Sequence, residues 1–218
     1  MQNTSTENYL SEIFRLEQSE IRVKTNIIAK KMGISDAAVT DMLKKLSANG
    51  LILYERYKNI QLTKKGKDYA AVIVRRHRIW EIFLNQIVKL PWDKVHDEAH
   101  RLEHSSSDEL VDRMEEMLDY PEFDPHGDPI PAKDGSIPKL KDTTPLSKVK
   151  VGEEGKVMRV NDFDNEFLNY LSKIGLKLGK KIKVKDKLNF DNSLLIKIGN
   201  NQINISAKLA SNIFIDLN

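Results

Sequence analysis

The stretch KTNIIAKKMGISDAAVTDMLKKLSANGLILY, residues 24–54, contains two short apolar runs of helical period with a glycine between them. Thr25 stands where it can cap a first helix, and Gly33 can end that helix in the left-handed conformation that glycine tolerates. Ser35 can cap a second helix. The segment SANG (47–50) interrupts the second run before a new apolar stretch. The pattern therefore predicts two helices joined by a tight turn.

The flanking segments extend this pair into a larger unit. Residues 6–20 carry apolar side chains at helical spacing, which predicts an amphipathic helix before the pair. Residues 51–55 and 60–63 predict two β-strands, and RYKN between them predicts a turn. Three helices followed by a β-hairpin are typical of a winged helix-turn-helix.

The second helix of such a motif is the one that enters the major groove of DNA. Short alanines allow close approach, a hydroxyl can bond a base or a phosphate, and a carboxylate can accept from cytosine. Lysine and arginine are suited to phosphates. A winged helix used for protein contact, with solvated lysines, is the alternative. The candidate DNA-contacting residues are Ser35, Ala37, Ala38, Thr40, Asp41, Lys44, Lys45, Arg56 and Lys58.

The middle of the chain is also helical by its hydrophobic spacing. Residues 66–89, 93–103 and 106–119 predict three helices, which could form a helix-on-helix dimer interface. Five prolines between residues 121 and 138 then predict a long loop or linker.

From about residue 146 the hydrophobic period changes to two, and glycine turns separate short runs. This pattern predicts a small β-barrel. KKIKVKDK, residues 180–187, alternates lysine with Ile and Val, which is typical of the wet face of an edge strand. A second nucleic-acid surface is the alternative. The predicted fold class is mainly α with a small β domain, divided into domains 1–72, 73–140 and 146–218.

Four of the five histidines lie within residues 77–104, each with a histidine or carboxylate three or four positions away. Neutral imidazole and carboxylate bind first-row divalent metals, and helical spacing lets two side chains reach one ion. Surface histidines on charged helices are the alternative. The spacing is compatible with one site formed by His77, Glu81 and His96 and a second formed by His100, Glu103 and His104.

The net charge of +3 conceals a strong segmental pattern. Residues 1–76 have a net charge of +6, residues 77–140 of −8, and residues 141–218 of +5. This suggests an anionic partner for the first segment and a cationic one for the middle. There is no cysteine, no apolar run of membrane-spanning length and no signal-peptide pattern. Disulfides and thiolate metal sites are excluded, and we expect a cytoplasmic protein without a membrane partner.

Several motifs resemble the diphtheria-toxin-repressor family of metal-dependent bacterial transcription repressors. Between residues 6 and 140 these are TENYL, LILYERYKNIQLTKKGK, RRHRIWE, VHDEAHRLEHSSSDE and HGDPIP. The wing is similar to the manganese-sensing branch. GLKLG, within residues 146–218, resembles the SH3-like domain of small ferrous-transport accessory proteins. The resemblance implies a winged-helix domain, a helical dimerisation domain and a C-terminal SH3-like β-barrel.

The resemblance also implies roles for individual residues. Glu103 and His104 match the primary metal site, where His100 replaces Cys or Glu and Asn8 replaces Met or Asp. The ancillary site is matched by a histidine pair with a carboxylate, and the third domain could lend it Asp164 or alternatively Glu166. The ligand set implied is Asn8, His77, Glu81, His96, His100, Glu103, His104 and Asp164.

The function implied is a homodimer that binds operator DNA when it holds Mn²⁺ or Fe²⁺ and represses metal-uptake genes. Oxygen and imidazole donors suit these ions, and Zn²⁺ would also bind such a set in vitro. No enzymatic activity and no small organic substrate are expected. The alternatives are a metal-independent winged-helix regulator, a metalloenzyme built on the histidines, and a metal buffer or transport accessory.

Overall fold

The computed structural model describes residues 4–19, 22–55, 58–140, 142–161 and 165–217. These residues fold into two compact units, each described by itself below. The first unit comprises Met1–His77, Glu103–Ser106 and Pro131–Ser136, and the second comprises Arg78–Leu102, Ser107–Ile130 and Ile137–Asn218. The α-helices of the described residues are α1 (Thr4–Gln18), α2 (Thr25–Met32), α3 (Asp36–Ala48), α4 (Lys64–Gln86), α5 (Val95–Glu103), α6 (Asp108–Met117), α7 (Asn165–Lys173) and α8 (Ala207–Ala210).

The first unit contains the winged helix that the sequence predicts. Strand β1 (Ile52–Leu53) pairs antiparallel with β2 (Gln61–Leu62) after helices α1 to α3. Both strands are shorter than predicted, and two residues of the turn between them lie outside the described part of the chain. Apolar side chains from all three helices form the core, and its fully buried members include Leu10, Ile13, Ile28, Leu43 and Leu46.

The helix ends follow the predicted capping in two of three places. Gly33 ends α2 with φ 67°, and the hydroxyl of Ser35 accepts from the backbone N–H of Ala38 at 3.2 Å. The assignment of Thr25 as N-cap is wrong. Lys24 occupies the cap position of α2, makes no side-chain capping hydrogen bond, and leaves Thr25 inside the helix.

The second unit contains an antiparallel sheet with the strand order β3-β8-β4-β5-β6-β7. Its core holds apolar residues from the inner face of the sheet together with Phe167, Leu168 and Leu171 of α7. The small β domain is confirmed, but the described strands form an open sheet and not a closed barrel, with β3 and β7 at its edges. The strands are β3 (Thr144–Pro145), β4 (Glu154–Val160), β5 (Lys181–Lys187), β6 (Leu194–Ile198), β7 (Asn201–Ile205) and β8 (Ile213–Asp216).

The loop before the sheet is held against β4 at a glycine. Gly127 has φ 93°, and an added Cβ would lie 2.2 Å from the carbonyl oxygen of Met158. The neighbouring carbonyl of His126 accepts from the N–H of Val160 at 2.9 Å. Only a residue without a side chain permits this approach. No helix in the described part of the chain is long and apolar enough to cross a bilayer.

Candidate metal centre and DNA-reading face

A chain of five polar side chains crosses the interior of the first unit. His77 Nδ1 lies 2.6 Å from Glu103 Oε2, and His104 Nε2 lies 3.1 Å from Glu103 Oε1. His104 Nδ1 in turn lies 2.6 Å from Glu7 Oε2, and the Tyr69 hydroxyl donates to Glu7 Oε1 at 3.0 Å. Helices α1, α4 and α5 are thus linked through imidazoles and carboxylates.

This chain is suited to a cation because of its buried charge. Glu7 and Glu103 are 0% and 2% exposed, and burying a carboxylate is costly unless a positive group compensates it. If His104 donates its Nδ1 proton to Glu7, the Nε2 lone pair faces a Glu103 oxygen. Such a pair is repulsive unless a proton or a metal ion lies between the two atoms.

Glu7 is the carboxylate of this cluster that sequence reasoning missed. Glu7 is fully buried. Burial of Tyr69, together with its hydrogen bond to Glu7, raises the pKa of Tyr69, so the Tyr69 hydroxyl keeps its proton and acts as the donor. Metal-binding histidines usually donate their second ring N–H to a carboxylate, which fixes the tautomer. A signal was present: Glu7 lies three residues before Leu10 and seven before Phe14, on the apolar stripe of α1.

Asn8 follows on the same helix and has an unused acceptor. Its side-chain oxygen Oδ1 is buried and has no hydrogen-bond partner within the described residues. A buried amide oxygen without a partner is costly, and a hard divalent cation is one group that would satisfy it. Asn8 therefore fits the ligand role that the resemblance implies.

The second unit holds another cluster of ligand-type side chains. His96 Nδ1 lies 3.1 Å from Glu81 Oε1. Glu81 also belongs to a buried group with Asp124 and His126, whose ligand atoms all lie within 4.8 Å of one another. Asp124 and His126 are not among the predicted ligands, although His126 begins the motif HGDPIP.

The geometry around His126 presents one ring nitrogen to this group. His126 Nε2 lies 3.0 Å from the carbonyl oxygen of Trp92, and the two rings stack with centroids 5.7 Å apart. Since a carbonyl only accepts, Nε2 carries the proton and Nδ1 carries the lone pair in the neutral ring. This is the arrangement of a metal-binding imidazole.

Asp124 is the carboxyl group most perturbed by its surroundings. Burial raises the pKa of Asp124 to about 7, and the negative charges of Glu81 and Asp128 add to the increase. Arg78 and His126 oppose it, and Arg78 Nε lies 3.4 Å from Asp124 Oδ2. Such crowding of buried carboxylates is relieved by a cation.

The remaining predicted ligands are placed as follows. His100 is exposed on α5, three residues before Glu103 on the same helix. Glu166 is exposed in the first turn of α7. Asp164 lies outside the described residues. Both clusters offer only nitrogen and oxygen donors, because their side chains are imidazoles, carboxylates and the Asn8 amide.

The predicted DNA-contacting residues fall mainly on one side of α3. Val39, Leu43 and Leu46 are buried against the core, whereas the opposite face carries exposed side chains. The Thr40 hydroxyl, by contrast, donates to the carbonyl of Asp36 at 2.8 Å, which engages its proton within the helix. The exposed predicted residues of this face are Ala37, Ala38, Asp41, Lys44 and Lys45.

Ion pairs and caps modify the other predicted DNA contacts. Lys44 Nζ lies 3.3 Å from Asp41, and Lys58 pairs with Glu55. These pairs are exposed, so phosphates can compete for the lysines at little cost. Ser35 acts as the cap of α3, and Arg56 lies outside the described residues.

Comparison with known proteins identifies the family of this chain. Residues 1–60 match the iron dependent repressor N-terminal DNA binding domain, and residues 63–132 match the iron dependent repressor metal binding and dimerisation domain. Residues 144–217 match the FeoA domain. The diphtheria toxin repressor of Corynebacterium efficiens is 31% identical over 190 residues, covering 83% of this chain and 82% of the relative. The chain belongs to the diphtheria toxin repressor family.

Solved structures of diphtheria-toxin-repressor-like proteins extend the match to nearly the whole chain. A manganese-dependent transcriptional repressor in complex with manganese has a TM-score of 0.91, with 32% identity over 98% of this chain and 100% of the other. The manganese regulator SloR has a TM-score of 0.83, also at 32% identity, with 98% of each chain covered. ScaR with bound Cd²⁺ has a TM-score of 0.84 at 31% identity, covering 97% of this chain and 98% of ScaR.

These findings confirm the predicted family and its general function. The diphtheria toxin repressor family consists of DNA-binding, metal-dependent transcriptional repressors and not of enzymes. The metalloenzyme alternative is therefore excluded. Solved structures similar to this chain include proteins with manganese and cadmium bound, which agrees with the nitrogen and oxygen donors described above.

Proposed function

We propose that this protein is a cytoplasmic repressor that binds operator DNA as a homodimer when loaded with Mn²⁺ or Fe²⁺, and that it controls genes of metal uptake. The observation that carries the proposal is the polar chain of the first unit. It joins α1, which packs into the winged helix, to the ligand-type residues at the end of α5. Mn-dependent and iron-dependent relatives support the choice of ions.

The primary site would be formed by Asn8, His100, Glu103 and His104. Glu103 and His104 already lie in contact, and Asn8 offers a buried oxygen without a hydrogen-bond partner in the described structure. The spacing of His100 and Glu103 puts both on one face of α5. Glu7 would not be a ligand but a positioning residue, because its carboxylate accepts from the nitrogen of His104 that faces away from Glu103.

A second ion would be held around Glu81. The predicted ancillary set is His77, Glu81 and His96, with Asp164 from the third domain. The geometry adds Asp124 and His126, which share Glu81 with that set. Since His77 Nδ1 contacts Glu103, His77 Nε2 would be the coordinating atom. Glu103 would then bind the ion of the primary site and also orient His77 in the ancillary site.

The bound ion would supply positive charge, and the side chains that bind it would fix the positions of the helices that carry them. Asn8 and Glu7 belong to α1, so a filled primary site would hold this helix against the end of α5. In a dimer this would set the spacing of the two α3 helices for half-sites about one helical turn apart. Coupling of about 1–3 kcal/mol corresponds to a 5–150-fold change in operator affinity.

The segments that would contact DNA and partner are also proposed. Residues 1–72 would form the DNA-binding domain, residues 73–140 the metal-binding and dimerisation domain, and residues 146–218 the SH3-like domain. The predicted residues of α3 would read bases or phosphates, with Arg56 and Lys58 of the wing on the backbone. The three family models that match successive parts of the chain support this division.

The test is operator binding titrated with metal. A duplex would first be selected from a random-sequence library by the Mn²⁺-loaded protein. Its affinity would then be measured anaerobically with Mn²⁺, Fe²⁺ and Zn²⁺, and after addition of EDTA. Metal-stimulated binding by a dimer supports the proposal. Binding that EDTA leaves unchanged would favour a metal-independent regulator, and absence of sequence-specific binding would favour a metal buffer.

A further inference from the structure

Strand β5 carries a row of lysines whose simplest explanation fails. The sequence pattern suggested that these lysines protect the edge of a sheet, but β5 lies between β4 and β6. The edges are β3 and β7. An interior strand has its backbone hydrogen bonds filled on both sides and needs no charge to prevent further pairing. The lysines therefore require another explanation.

The register places lysine directly opposite lysine on the outer face of this sheet. Lys181 of β5 is opposite Lys156 of β4, and Lys183 of β5 is opposite Lys197 of β6. We call these four residues the lysine face. Like charges at directly opposed positions destabilise a sheet. The fold thus retains two unfavourable pairs where neutral residues would be better tolerated.

Acidic neighbours neutralise the lysine face only in part. Asp216 of β8 lies opposite Lys156. Glu154 lies opposite Lys183 and 3.9 Å from the ammonium of Lys181, whose side chain is 78% exposed. An exposed pair at that distance contributes little. The alternate residues Ile182 and Val184 are buried, so the lysines point away from the core. Residues 141–218 as a whole have a net charge of +5.

We infer that the lysine face binds the phosphate backbone of duplex DNA, independently of base sequence. Alternate residues of a strand are about 7 Å apart and neighbouring strands about 5 Å apart. Four ammonium groups in such an array match the dense, regular negative charge of a duplex. The chain belongs to a family of DNA-binding repressors, so a duplex is the polyanion that it meets. This contact needs no metal ion and is separate from the proposed metal switch.

The test compares the salt dependence of DNA binding in full-length variants. One variant carries Lys156→Gln, Lys181→Gln, Lys183→Gln and Lys197→Gln. The matched control removes four exposed lysines outside the β4–β6 ladder, by Lys94→Gln, Lys139→Gln, Lys173→Gln and Lys208→Gln. Each protein is titrated onto a random-sequence duplex at several NaCl concentrations. Each phosphate contact contributes about 0.9 to the slope of log K against log salt.

We expect the slope for the lysine-face variant to be smaller by about 2–4 than for the control, in metal-free and in Mn²⁺-loaded protein alike. We expect its thermal unfolding temperature to stay near that of the control, because the substitutions remove two like-charge pairs together with the attraction of these lysines to Glu154 and Asp216. Equal slopes in the two variants would overturn the inference. Equal slopes together with loss of binding to phosphatidylglycerol vesicles would overturn it in favour of a membrane partner.

The two proposals fail separately in this design. Lack of Mn²⁺ stimulation in the wild-type protein would contradict the metal switch, and the difference in slope would remain measurable. A lysine-face variant that keeps the wild-type ratio of Mn²⁺-loaded to metal-free affinity, but has the smaller slope, supports both. A variant whose slope matches the control while its Mn²⁺ ratio is normal contradicts the DNA contact alone.

Discussion

At the scale of single residues, the central interaction is between Glu7 and His104. Glu7 stands on α1 in the winged helix, and His104 directly follows α5. The 2.6 Å contact between them orients the imidazole and leaves Nε2 directed at Glu103. If His104 binds the metal ion as proposed, metal affinity will depend on the position of α1 and of the winged helix that contains it.

Glu7→Gln should weaken Mn²⁺ binding about 10–100-fold, since loss of an outer carboxylate partner has this effect on metal-bound histidines. Isothermal titration calorimetry measures the affinity. Asp68→Asn removes the same charge from an exposed position on α4 of the same unit and is the control. An affinity equal to that of the control would show that Glu7 does not position His104.

Asp124 gives a prediction about pH in the metal-free protein. Its pKa is raised from 3.8 to about 7 in the folded chain, so the folded state binds this proton more tightly than the unfolded state. The corresponding stability is fully present below pH 4 and is lost as the pH rises through about 7. Because the asparagine in Asp124→Asn cannot ionise, this variant should not show that loss of stability, which is on the order of a few kcal/mol.

Denaturant unfolding at pH 5 and pH 8 in the presence of EDTA measures this effect. The difference in stability between the two pH values should be smaller in Asp124→Asn than in the wild type. Asp134→Asn is the control, because hydrogen bonds from Ser136 lower the pKa of that exposed carboxyl and it is ionised at both values. The same pH dependence in all three proteins contradicts the assigned pKa.

At the scale of secondary-structure elements, local signals predicted more than long-range ones. Ser35 accepts the capping hydrogen bond expected of it, because a cap depends on residues three or four positions away. The position of β5 in the sheet was predicted wrongly, because neighbours are set by pairing with distant strands. The open sheet was not predicted for the same reason. The alternation of apolar and polar residues along a strand does not show which strands pair with each other.

Gly127 is the element-scale position most sensitive to substitution. Gly127→Ala would place a methyl group against the Met158 carbonyl and force alanine to φ 93°. We expect a loss of more than about 1–2 kcal/mol, the usual cost of positive φ alone. Thermal unfolding measures it. Gly135→Ala is the matched control, because Gly135 also has positive φ but nothing lies within 4 Å of the added Cβ.

The comparison of the two variants isolates the contact between the loop and β4. Gly127→Ala should lower the unfolding temperature further than Gly135→Ala does and should weaken metal binding at the site proposed around Glu81 and His126. Equal destabilisation by the two substitutions would mean that backbone strain accounts for the whole effect.

At the scale of the whole molecule, the candidate site was predictable only in part. His96, His100 and His104 were found because helical spacing is visible in a sequence. Glu7 is 97 residues from its partner His104, and Asp124 is 43 residues from Glu81, so neither pairing has a local signature. Segmental charge indicated an anionic partner and a cationic one, and the family assignment agrees with DNA and a metal ion.

The most direct measurement of the central claim is the operator affinity of wild type and Glu103→Gln across a Mn²⁺ titration. Glu103 contacts both His77 and His104, and glutamine keeps its size while removing the negative charge of the proposed ligand. We expect Mn²⁺ to raise wild-type affinity 5–150-fold, EDTA to reverse this, and Glu103→Gln not to respond. Equal stimulation of both proteins, or wild-type binding that EDTA leaves unchanged, would contradict it.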